Sequence, residues 1–258
     1  MKYHIKISRE MIKGAKIAVL PGDPGRVEKT AKTLNPDAVF LTSNREYTSW
    51  LSKVCGENIL ICSTGIGGPS LSIAVEELAG IGIEYFIRIG TTGAIQPYIE
   101  IPSLIITTGA VRLDGASKHY APVEYPAVAD IELTNSLIAG AKASGVAYYT
   151  GITASSDTFY PGQERYDTFS KYVIKAFQGS LEQWQKLNVL NFEMESATLF
   201  TMASAFGLKA GCIASVIVNR TKNETPDDSV LNKAEENLAI ALGHSLEYML
   251  SKRGGIIA

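Results

Sequence analysis

The sequence predicts an α/β domain built on a largely parallel or mixed sheet, and three observations carry that expectation. Short, near-continuous apolar runs recur along the chain, most of them closed by glycine or turn residues. Helical periods with one apolar face lie between several of these runs. No repeat, low-complexity tract or linker divides the 258 residues, 46% of them hydrophobic, so residues 1–258 are expected to form one domain around one substantial core.

Lys16–Leu20 reads as the first buried strand, and Gly22-Asp23-Pro24-Gly25-Arg26 as the turn after it. Asn58–Ser63 is the second strand. Thr64-Gly65-Ile66-Gly67-Gly68 leads from it into a helix that sets Leu71, Val75 and Leu78 against Glu76 and Glu77 on the opposite face. Strands at Tyr85–Gly90 and Leu104–Thr108 follow, then a helical period over Leu133–Ala143. Tyr148–Ala154 and Val189–Phe192 read as strands, Ser196–Phe206 as a helix and Cys212–Asn219 as the last strand. A long helix over Leu231–Leu250 comes last, with Lys252 and Arg253 just past its end, where cations suit the helix dipole. Buried strands alternating with helices are the pattern of an α/β sheet, whose ligands bind beyond the carboxyl ends of the strands. The polar segments expected on that rim are Gly22–Arg26, Thr64–Gly68, Thr91–Gly93, Ser155–Asp157, Glu193–Glu195 and Asn219–Thr221.

Composition excludes several classes. A net charge of −2 and a pI near 6.0 leave no basic footprint for nucleic acid or an anionic membrane. The N-terminus has no apolar core of a signal peptide, and no apolar run approaches the roughly 20 residues of a membrane helix, so a cytoplasmic location is expected. Cys55, Cys62 and Cys212 form no C-x-x-C pair and read as small buried core residues in a reducing compartment. His4, His119 and His244 are too scattered for a zinc cage, and no G-x-S-x-G elbow is present.

Five segments carry candidate chemistry. The glycines of Gly65–Ser70 read as a tight turn, or as a loop whose amides and helix start face an anion. A dinucleotide fingerprint is the third reading, but Ser70 stands where its last glycine belongs and Glu84 opens its strand instead of ending it. Arg88, inside an apolar run, is either one side of a structural ion pair or a fork of donors for phosphate, with the Thr91 and Thr92 hydroxyls beside it. Arg26 is a surface arginine or a second phosphate ligand. Glu193 and Glu195 flank Met194 before a helix, where one carboxylate suits a helix cap and another the cis-diol of ribose. Thr158–Asp167 holds Gln163 and Arg165, whose amide and guanidinium present donors and an acceptor in a plane that suits a flat heterocycle with carbonyls and an N–H. Its alternative is a surface loop with a packed Phe-Tyr pair.

Taken in order, Pro21–Pro24, Ser63–Ser70, Arg88–Pro97, Arg112–Ser117, Thr153–Asp167, Glu193–Ser196 and Val218–Thr221 closely resemble the uridine phosphorylases of the type I nucleoside phosphorylase family. The resemblance spans about Tyr3 to the C-terminal helix. It implies a single-domain, three-layer phosphorylase fold with a mixed, partly barrel-like central sheet flanked by helices, assembled as a hexamer of dimers. It also implies a pentosyltransferase of pyrimidine salvage that splits uridine with inorganic phosphate as co-substrate, needs no cofactor, and extends to deoxyuridine or thymidine. Gly22, Arg26, Arg88 and Thr91 match the family's phosphate site, and Arg45 matches an arginine lent by the neighbouring subunit. Met194 and Glu195 match ribose contacts, and His4 the histidine that crosses the dimer interface to the 5′ hydroxyl. Tyr3 stands before it where the family has Phe. Phe159, Gln163 and Arg165 match the uracil site, with Arg220 a base-side arginine acting near the uracil carbonyl. Glu46, Ile66 and Ser70 match the ligands of a monovalent cation, K+, at the dimer interface. Purine-cleaving relatives carry an aspartate near the end of this last strand, where this chain reads Val218-Asn219-Arg220.

Overall fold

Apolar side chains fill every position of Ile17–Pro21 (β1), which is buried along its length, as a strand covered by helices on both faces must be. The computed structural model describes residues 1–222 and 224–254. After β1 come helix Val27–Leu34 (α1), strands Val39–Asn44 (β2), Tyr47–Val54 (β3) and Glu57–Cys62 (β4), and helix Gly68–Ala79 (α2). Strands Tyr85–Ala94 (β5), Ser103–Leu113 (β6) and Ala127–Val128 (β7) lead to helix Ile131–Ser144 (α3). Strand Tyr148–Ser156 (β8), helix Ser180–Lys186 (α4), strand Asn191–Glu193 (β9) and helix Ser196–Ala205 (α5) follow. Strand Lys209–Asn219 (β10) and helix Asp228–Gly254 (α6) come last.

The strands form one mixed sheet whose central part closes on itself. Strand β5 runs parallel to β10, β10 antiparallel to β6, β6 parallel to β8, and β8 parallel to β9, which returns antiparallel to β5. From β5 an open wing extends through β1, β4, β3 and β2. The α/β class and the mixed, partly barrel-like sheet flanked by helices are therefore as expected. Alternation along β1 builds both faces: Ala18 and Leu20 join a core with Leu71 of α2 and Phe200 of α5. Ile17 and Val19 join another with Val27 of α1, Leu137 of α3 and Leu242 of α6. No helix among the described residues is long and apolar enough to cross a membrane.

Three expectations need correction, and the β2–β3 hairpin was not foreseen, because no residue of β2 is buried and β3 sets the buried Tyr47, Leu51 and Val54 among polar residues. Strand β5 continues through Thr91–Gly93, which were placed beyond its end, and α6 extends past Lys252 and Arg253. Cys55 is exposed in the β3–β4 turn with φ 49°, whereas Cys62 and Cys212 are buried as expected.

Candidate active site

The carboxyl end of β1 lies in register with the middle of β5, Leu20 beside Arg88 and Pro21 beside Ile89, and a cleft of about 340 Å³ opens there. The β9–α5 junction, the 158–165 segment and the end of β10 complete its wall. Arg88 reaches the cleft from a buried strand position, so its charge needs compensation. Its Nε donates to Glu193 Oε2 at 3.1 Å, and Nη2 pairs with Glu195 Oε2. Nη1 is buried with no partner, a donor open to an anion. The ion-pair reading of Arg88 is thus observed, and Nη1 is the donor that the pairs leave over. Burial works against its charge, but Glu195 and Glu193 outweigh that and hold its pKa above the usual value.

Gly22 keeps open the space in front of this donor. A Cβ there would stand 3.9 Å from Arg88 Nη1 and press the Gly65 carbonyl at 3.1 Å. Gly22→Ala is therefore expected to weaken the binding of an anion in front of Arg88 Nη1 about 10-fold, read by titration with inorganic phosphate. Arg26 lines the same wall, with its Nε 2.9 Å from Glu235 and 3.9 Å from Asp23. Thr91 also lines it. The Thr92 hydroxyl is committed elsewhere: it donates to the Phe192 carbonyl at 2.6 Å and accepts from Asn191 Nδ2 at 2.8 Å.

The two glutamates divide their work. Glu193 accepts from the Glu195 and Ser196 amides at 2.8 and 2.9 Å, so it caps the start of α5 as well as anchoring Arg88. Glu195 accepts from the Gly67 amide at 2.6 Å. The anion met by the glycine loop in this structure is thus a carboxylate of the protein itself. Burial pushes the Glu195 carboxyl up, Arg88 pulls against that, and Glu193 adds to it. Gly68 serves packing, because a Cβ there would lie 2.3 Å from Thr198 Oγ1 and 2.9 Å from Ala116 Cβ. The dinucleotide reading is overturned: Glu84 precedes β5 at its opposite end and bonds Lys16 at 2.5 Å. Met194 lines the cleft between the two glutamates.

On the other side of the cleft, Gln163 is buried in the turn Pro161–Gln163, and Arg165 lies with Cζ 4.3 Å from the Phe159 ring centre. Arg165 Nη1 pairs with Glu224, while its Nε is buried without a partner. Burial and then the neighbouring Arg220 lower the Arg165 pKa, with Glu224 opposing them. Arg220 stands one layer behind: its Nη1 donates to the Gln163 carbonyl at 2.7 Å and its Nε to Glu224 at 2.8 Å. Asn219 is spent on structure. Its Nδ2 donates to the Gln96 and Ile99 carbonyls, both at 2.9 Å, and its Oδ1 accepts from Thr221. Strand β10 itself carries no acidic residue, and Glu224 is the first acid after it.

Residues 16–247 match the phosphorylase superfamily. The chain belongs to that superfamily. It is 56% identical over 250 residues to a uridine phosphorylase of Haemophilus influenzae, covering 96% of this chain and 98% of that protein. It is 54% identical over 235 residues to the uridine phosphorylase of Escherichia coli K12, covering 91% and 92% of the two chains. With that of Thermococcus kodakarensis the identity is 49% over 224 residues, covering 87% and 79%. The pentosyltransferase class expected from the motifs is that of these relatives, and the chain is an enzyme of that class.

Not every residue expected from the family resemblance lies on the cleft of a single chain. Arg45 is exposed at the β2–β3 turn with φ 55°. His4 is half-buried away from the cleft, with Nδ1 2.9 Å from Glu77 Oε1 and its own amide donating to the same carboxylate. Glu46 and Ser70 converge on Gly65, where a Cβ would meet Glu46 Cγ at 3.0 Å and Ser70 Oγ at 3.1 Å, and Ser70 Oγ donates to the Ile66 carbonyl. Of the rim segments, Ser155 and Asp157 turn to backbone amides, those of Ala197 and Gly115. Sequence reasoning missed Asp23, Glu224 and Glu235 as partners of the arginines. It also missed Ile217, the bulged residue of β10 that faces the cleft. Glu224 carried one signal, an acidic residue four positions after Arg220.

Proposed function

We propose that this chain, folded as a single domain, catalyses the reversible phosphorolysis of uridine to uracil and ribose 1-phosphate. The observation that carries the reading is one cleft holding Arg88, with an open buried donor beside Gly22, opposite Gln163 and Arg165 packed on Phe159. The names of the relatives at 49–56% identity support the same substrate.

Phosphate is the nucleophile, so no side chain need attack. A phosphate oxygen bonds to C1′ as the C1′–N1 bond breaks, and that electron pair leaves with the base, spread over N1 and the uracil carbonyls. Cationic character develops on the sugar, and the protein contributes position and opposing charge. Arg88 and Arg26 hold the phosphate with Gly22 and Thr91. Glu195 accepts from the ribose 2′ and 3′ hydroxyls beside Met194. Gln163 reads the uracil edge, and Arg165 meets its growing negative charge, with Arg220 behind them. Arg45 and His4 complete the site from a neighbouring subunit, the phosphate end and the 5′ hydroxyl respectively, in a hexamer of dimers. Their places off the cleft of the single chain suit that role. No cofactor enters the chemistry. The Glu46 side chain and Ser70 Oγ meet at Gly65, Ser70 bonds the Ile66 carbonyl, and the oxygens of these three residues are the hard donors that would hold K+. The reaction places the enzyme in pyrimidine salvage in the cytoplasm, with deoxyuridine and thymidine as further substrates.

A substrate panel tests the reading. Uridine, thymidine, cytidine and inosine are each incubated with phosphate and the free base measured. Uridine is expected to be the best substrate and inosine to be inert, because Asn219 has no proton to give a purine. Faster release of hypoxanthine than of uracil would contradict the assignment.

A further inference from the structure

The segment joining β10 to α6 places Glu224 on the cleft wall next to Pro226, with its side chain 40% exposed. Its two oxygens serve two arginines: Oε2 pairs with Arg165 Nη1, and Oε1 accepts from Arg220 Nε at 2.8 Å. Those arginines are deeply placed, their side chains only 6% and 2% exposed. Two guanidinium charges so close and so dry repel each other, and each requires a counter-charge. Arg220 already lowers the pKa of Arg165 after burial has done so, and Glu224 is the first group acting the other way.

The bridge also sets direction. With Nη1 on Glu224 and Cζ 4.3 Å over the Phe159 ring, the guanidinium plane of Arg165 is held at two points. Its Nε, buried and unpartnered, is then the donor left for a ligand in the cleft. Arg220 passes the same restraint to the other half of the base site, since its Nη1 holds the carbonyl of Gln163 at 2.7 Å. One carboxylate from outside the base-reading pair therefore orders both of its members.

We propose that Glu224 is a positioning residue for the leaving base, acting through Arg165 by neutralising the Arg165–Arg220 repulsion and aiming the open edge of Arg165 into the cleft. The proposal rests on the reading of the cleft as a uridine phosphorolysis site. The partners of Glu224, Arg165 and Arg220, both belong to the base side of the cleft, so its effect is assigned to the departing base. Removing its charge weakens catalysis most where the leaving group needs most help.

The test is a kinetic cycle of the full chain, Glu224→Gln, Arg165→Ala and the double variant, assayed with phosphate on uridine and on 5-fluorouridine. The fluorinated base leaves as a more stable anion. Glu224→Gln is expected to lower kcat on uridine about 10-fold but on 5-fluorouridine only about threefold, with the KM for phosphate within about twofold. In the Arg165→Ala background the same change is expected to cost less than about twofold. Equal losses on the two nucleosides, equal losses in the two backgrounds, or a matching rise in the phosphate KM would overturn the proposal. Active parent enzyme with an unimpaired Glu224→Gln variant would overturn this proposal alone. A parent that does not release uracil would overturn the functional reading, and this proposal with it.

Discussion

Arg165→Ala is expected to lower kcat on uridine about 10²- to 10³-fold while changing the KM for uridine by less than about threefold. In bound uridine the base is neutral, so Arg165 offers it packing and a hydrogen bond from a cation to an uncharged carbonyl. As the C1′–N1 bond breaks, the base becomes an anion and that bond becomes one between opposite charges. The gain therefore falls on the transition state. It is large because the Arg165 side chain is only 6% exposed and its Nε is buried, so water screens it poorly. Glu224 retains Arg220 as a partner in the variant, which limits collateral damage. Steady-state kinetics over both substrates read the split. A variant altered in KM alone would show that Arg165 binds substrate and transition state equally.

Arg88→Met is expected to remove phosphate-dependent turnover and to lower stability by about 3–5 kcal/mol, since it strips the shared cation from two buried carboxylates. The loss is expected to depend on pH with a definite sign. Burial already raises the Glu195 carboxyl, and Arg88 is the main influence pulling it down. Without that cation the folded-state pKa rises further above its unfolded value. A group so shifted contributes stability while it is protonated and loses it as pH climbs through the folded pKa. The deficit should therefore shrink on going from about pH 8 to about pH 5, read from urea unfolding at each pH. A deficit independent of pH would mean that Glu193 and Glu195 are neutralised by another group.

The parts of this site that were legible in the sequence are those where polarity and place conflict. An arginine inside Tyr85–Gly90 demanded an explanation, and the structure supplies it as a carboxylate pair with one donor left over. Two glutamates around Met194 suggested a cap and a ligand; Glu193 is the cap, while Glu195 meets the Gly67 amide and Arg88 on the cleft wall. Strands such as β1 and β4 were readable because nearly every residue is apolar and buried. The β2–β3 hairpin was not, since its turn uses Arg45 at positive φ instead of glycine and its outer strand is solvated. Helix α1 was missed for a related reason, with only Val27, Thr30 and Ala31 buried among polar neighbours. Glu224 and Glu235 acquire meaning only when the chain after β10 folds back beside the arginines, a relation no local pattern records. The family resemblance implied a base-side place for Arg220, and the fold adds what no motif records, that its Nη1 holds the Gln163 carbonyl.

The central claim is that phosphate, held in front of Arg88, is the attacking group. The most direct measurement follows uracil and ribose 1-phosphate from uridine with and without added phosphate. The account predicts one ribose 1-phosphate per uracil, no release above background without phosphate, and saturation as phosphate rises. Uracil release that proceeds without phosphate, with free ribose as the sugar product, would contradict it and make the enzyme a hydrolase.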